Sequence, residues 1–96
     1  MYEGIEDIYN LLRDKRLKEA LIQLQALAPQ AGMWNLQARI EQTATAYSYM
    51  LQYAAQGMED PTRADFYRKT LRTAYELTDE LHTALKAKKT NGAYYD

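Results

Sequence analysis

The chain holds one histidine, His82, and Asp79 lies three residues before it. On a helix that spacing puts both groups on one face, which is half of the carboxylate–histidine pattern of a di-metal bundle site. The other half is missing. Such a site needs a second copy of the pair and two more inward carboxylates, and Glu41 is the only acid along the middle stretch of the chain. A solvated helix face is the expected role of Asp79 and His82, and no metal or other cofactor is expected. Catalytic groupings do not assemble either. There is no cysteine nucleophile, no Gly-x-Ser-x-Gly, no glycine-rich phosphate loop and no Ser–His–carboxylate set. The chain reads as a non-enzyme.

The remaining chemistry is that of binding. Nine tyrosines stand among 96 residues, and tyrosine is rigid, amphipathic and easily ordered at an interface. Tyr47 and Tyr67 fall on apolar stripes and are expected to pack structurally. Tyr49 and Tyr53 fall partly off their stripe. With Gln52 and Gln56 they form the expected partner-binding set: Tyr49, Gln52, Tyr53 and Gln56. Trp34 is expected to cap the core beside the Pro29–Gly32 loop, whereas an exposed Trp34 would be a contact anchor. Arg63, Arg68, Lys69 and Arg72 make a basic patch, but the net charge is −1. Phosphate neutralisation needs a basic surface, so nucleic acid is not an expected partner.

These side chains must be positioned by helices. Val is absent and Ile occurs four times, while Ala, Leu, Gln, Glu and Lys abound, a balance that favours helix over strand. Ile5, Ile8, Tyr9 and Leu12 follow the i, i+3, i+4, i+7 rule, which predicts a helix over about 5–14. Leu17, Ala20, Leu21, Leu24, Leu27 and Ala28 predict a second over 17–28. Pro29 is expected to end it, because the residue before proline avoids the helical region. Leu36, Ile40, Thr43, Tyr47, Met50 and Ala54 predict a third over 33–56, stopped by Gly57. Asp60-Pro61 reads as a start signal. Ala64, Tyr67, Leu71, Ala74, Thr78, Leu81 and Leu85 predict a fourth over 61–89, ended at Asn91-Gly92. The fold class is all-α: a short helical hairpin plus a long one, as a single domain over 1–96.

From Gln42 to Met58 no side chain is charged, although Gln, Thr, Ser and Tyr are plentiful. A helix stripped of charge without being greasy is usually contacted on several sides. The third helix is therefore expected in the centre, between the first hairpin and the fourth helix; the alternative is that its second face meets another chain, in a possible homodimer. No stretch approaches the roughly 20 apolar residues that a membrane span needs. The acidic start, Glu3 to Asp7, does not resemble an export signal, so a cytoplasmic location is expected.

Leu17, Ala20, Leu24, Leu27 and Pro29 stand in the order found in the second half of a tetratricopeptide repeat, which that segment resembles. The small Ala there lets the paired helix approach closely. Pro29 comes earlier than in the repeat, Tyr9 stands where the first helix should carry a small residue, and the last two helices exceed repeat length. The whole chain is similar to the amino-terminal helical segment of large bacterial tetratricopeptide-type proteins. Leu17 to Leu21, and the run from Tyr49 through Asp60-Pro61, carry that likeness. It implies a four-helix, repeat-like array that caps a longer helical-repeat protein and serves in binding or scaffolding. Ala93 to Asp96 fits the start of another element as well as it fits a frayed tail.

Overall fold

A computed structural model describes the backbone of residues 3–55 and 63–95, and the side chains of residues 4–53 and 63–87. Four helices follow one another: α1 (Glu3–Arg13), α2 (Leu17–Leu27), α3 (Trp34–Ala55) and α4 (Arg63–Tyr95). The fold is all-α, with a short hairpin (α1–α2) and a long one (α3–α4). Gln56, Gly57, Asp60 and Pro61 lie outside the described residues.

The short hairpin turns on a complete helix C-cap. Arg16 donates its backbone N–H to the Leu11 carbonyl at 2.8 Å, and Lys15 donates to Leu12 at 3.1 Å. These are the two bonds of a Schellman motif, which requires a left-handed residue at the position of Lys15. Lys15 indeed has φ +63°, an uncommon conformation for a side chain with a Cβ.

The turn between α2 and α3 departs from expectation. Pro29 does not end the helical path. Ala28 keeps helical angles (φ −53°, ψ −41°). The chain then enters a 3-10 turn over Ala28–Ala31, with proline in its first turn, where its missing N–H has no partner to lose. Gly32 makes the stop, at φ +69°, donating to the Pro29 carbonyl at 3.2 Å. At the other end, α4 runs through Asn91 and Gly92 to Tyr95. One glycine costs a helix only about 1 kcal/mol, too little to end it unaided.

The core is a single cluster. Ile5, Ile8 and Leu12 enter from α1; Leu17, Ala20, Leu21 and Leu24 from α2; Leu36, Ile40 and Ala44 from α3; Ala74, Leu77, Leu81 and Leu85 from α4. Ala20, at the small position of the repeat-like segment, is fully buried. Thr78 is also fully buried and donates its hydroxyl to the Ala74 carbonyl at 2.6 Å, so it leaves no polar atom unpaired. On α3 the buried position is Ala44 rather than Thr43, and Thr43, Tyr47 and Met50 are only half-buried. On α4, Ala64 is exposed, and Leu77 joins the stripe.

The central helix is α4, not α3. Helix α4 packs against α1, α2 and α3, whereas α3 packs against α2 and α4 and, among the described residues, makes no close approach to α1. The physical reason lies in the faces. The buried stripe of α4 is broad, with Ala74, Leu77, Thr78, Leu81 and Leu85 all at 3 % exposure or less. The second face of α3 carries Gln, Thr, Ser and Tyr, whose amides and hydroxyls are costly to bury without partners. With 33 residues, α4 is about 50 Å long, close to the 56 Å long axis of the molecule.

Candidate docking face

Three sides of α3 have different fates. One flank meets α4, where Arg39 grips Glu80 through two parallel bonds of 3.0 Å (Nη1 to Oε1, Nη2 to Oε2). Farther along the same flank, Tyr47 meets Tyr67 with ring centroids 6.5 Å apart. Burial, and then the neighbouring Tyr67, raise the Tyr47 phenol above its ordinary pKa, with Arg63 pulling the other way. The Tyr67 hydroxyl reaches the Lys15 carbonyl at 3.4 Å and so ties the two hairpins together. Both tyrosines pack against the core, as their stripe positions predict.

The other flank faces α2. Gln25 from α2 and Ala44, Thr45, Ser48, Tyr49 and Gln52 from α3 line an open groove of about 330 Å³. Two members of the sequence-predicted set, Tyr49 and Gln52, therefore share a wall. Tyr53 does not line this groove. It stands one turn beyond Tyr49 on the outer face.

That outer face is open. Tyr49 is 69 % exposed and Tyr53 is 51 % exposed. Gln56, the fourth predicted residue, lies outside the described residues. The face gains a member that sequence reasoning placed elsewhere. Trp34 does not cap the core: it is 75 % exposed. Helical geometry explains this, since Trp34 precedes the buried Leu36 by two residues, a rotation of about 200° that carries it to the opposite side. The same arithmetic puts Trp34, Ala38, Thr45, Tyr49 and Gln52 along one stripe, with Glu41 and Gln42 at its two edges. Ile22 and Met33 are also exposed, each at 51 %.

The remaining sequence candidates resolve into ordinary surface. Asp79 is taken by the Tyr9 hydroxyl, which donates to Oδ1, while Tyr9 stacks on Tyr75 at 6.4 Å. Burial first, and then the adjacent carboxylate, push the Tyr9 phenol up to about 12. Among the described residues no group of three His, Asp or Glu side chains could hold a metal ion. Arg68 lies 3.9 Å from Asp65, so the basic patch on α4 is interleaved with acid. No described helix is long and apolar enough to cross a membrane. No family profile, curated protein or solved structure matches this chain.

Proposed function

We propose that this chain is a protein–protein interaction module that docks a partner along the outer face of α3. The observation that carries the reading is the open aromatic stripe: Trp34, Tyr49 and Tyr53 at 75, 69 and 51 % exposure on a helix with no charge from Gln42 onward. Interface centres are depleted in charge and enriched in Trp and Tyr. These exposed rings serve no folding purpose, because they are absent from the core cluster. In keeping with the repeat-like short hairpin, the module caps a longer helical-repeat scaffold, whose exposed end needs a polar terminal unit. A chain without cysteine needs no oxidising compartment to fold, and we place it in the cytoplasm.

The test is alanine at Tyr49 and Tyr53 together, with the fold checked by circular dichroism and association measured by quantitative co-purification. Neither ring belongs to the core, so the fold is expected to survive and association to fall at least tenfold, the loss of one interface hot spot. Unchanged association in a folded variant would falsify the reading.

A further inference from the structure

The α3 face has features that narrow its partner. Near a two-fold axis each residue meets its own copy, so a charge there meets a like charge and is destabilising. A quarter of the chain is charged, at 26 %, and helix α4 carries exposed charges at Asp65, Arg68, Lys69, Arg72 and Glu76. The exposed positions of α3 from Gln42 onward carry none: Gln42, Thr45, Ala46, Ser48, Tyr49, Gln52 and Tyr53 are all neutral. Arg39, at the edge, is already held by Glu80.

The stripe is also self-complementary. Thr45, exposed and small, lies at its middle. Antiparallel pairing centred there sets Gln42 opposite Ser48, an amide and a hydroxyl that each donate and accept. It sets Glu41 opposite Tyr49, so the one carboxylate on this face meets a phenol donor. It sets the small Ala38 opposite the longer Gln52, a hollow facing a projection. The small side chains Thr45, Ala46 and Ser48 allow close approach at the axis. The area is sufficient. At 150–250 Å² each and the exposures given above, Trp34, Tyr49 and Tyr53 offer roughly 400 Å². That is half of the roughly 800 Å² that each partner of a standard interface buries. Glu41, Gln42, Thr45, Ser48 and Gln52 lie among the rings and supply the remainder.

We propose that the outer face of α3 pairs with the same face of a second copy of this chain, antiparallel across a two-fold axis near Thr45. This rests on the docking reading above and names the partner.

The experiment is molar mass by sedimentation across a wide concentration range, for the wild type, T45R, T45E and an equimolar mixture of the two variants. Thr45 is exposed, and thermal unfolding by circular dichroism verifies that each variant folds. The wild type is expected to rise from the 11.1 kDa of the monomer to twice that mass. Each variant alone is expected to dimerise at least tenfold more weakly, because like charges face each other at the axis, and the mixture is expected to recover the dimer. A wild type that stays at monomer mass throughout overturns the pairing, as does a T45R dimer of unchanged affinity. A photo-crosslinking residue in place of Tyr53 separates this proposal from the broader one. An adduct of twice the monomer mass supports the pairing. An adduct with a different chain alone overturns the pairing and keeps the docking face, and no adduct of any kind overturns both.

Discussion

Replacing Lys15 by glycine is expected to make the protein more stable. Lys15 sits at φ +63°, where an L-residue pays about 1–2 kcal/mol because its Cβ crowds the following carbonyl. Glycine removes that strain. It also adds freedom to the unfolded chain, which returns about 0.5–1 kcal/mol of the gain. The Lys15 side chain is exposed, and the contacts that matter here are main-chain. Its N–H donates to Leu12 at 3.1 Å and its carbonyl accepts from Tyr67, and glycine keeps both. The net expectation for K15G is a gain of about 0.5–1 kcal/mol, or a rise in Tm of roughly 2–8 °C for a domain of this size. K15A isolates the cause. Alanine retains the Cβ, so it is expected to stay within about 0.5 kcal/mol of the wild type. Urea and thermal unfolding followed by circular dichroism measure all three proteins. If K15G is no more stable than the wild type, or if K15A gains as much, then Cβ strain at the α1–α2 turn is not what limits this hairpin.

Further expectations concern the contacts between helices. Y9F is expected to lose about 1 kcal/mol at neutral pH, the usual worth of one hydrogen bond. Because folding raises the Tyr9 phenol from 10 to about 12, its contribution is complete below about pH 10 and disappears as pH climbs through about 12. A spectrophotometric alkaline titration should therefore lose its highest tyrosine step in Y9F, and the wild type's excess stability over Y9F should vanish across that window. In the core, L77A is expected to cost about 2–5 kcal/mol through the cavity it leaves. T78V should change stability by less than about 1.5 kcal/mol, since the hydroxyl bond to Ala74 is removed without stranding a buried acceptor; equal losses in urea unfolding would contradict this account. For Arg39 and Glu80, whose side chains are 52 and 48 % exposed, a double-mutant cycle should give no more than about 1 kcal/mol, shrinking with added salt.

Helix type, number and order were legible in the sequence, because each apolar stripe repeats at the helical period and each depends on neighbours only a few residues away. Ile5, Ile8 and Leu12, or Leu17, Ala20 and Leu24, identify their own buried face without reference to the rest of the chain. The same arithmetic applied to Trp34 puts it opposite Leu36. Expecting it in the core gave residue size precedence over position, although the rotation was there to be read. The turn between α2 and α3 was less accessible, because proline is compatible with both a stop and the first turn of a new helical segment. Only the placement of Gly32 in a left-handed conformation shows where the path breaks.

What the sequence determined by itself is the set of faces: four apolar stripes, a neutral polar band on the third helix and a charged outer side on the fourth. Which face meets which was decided only in three dimensions. An uncharged polar band is equally compatible with burial between helices and with an open surface, because the cost of hiding its amides depends on partners distant in sequence. The tertiary structure gives the centre to α4, whose broad apolar stripe touches every other helix, and leaves Tyr49 and Tyr53 facing outward. Burial is a property of neighbours, and the neighbours of α3 are set by the wider stripe of α4.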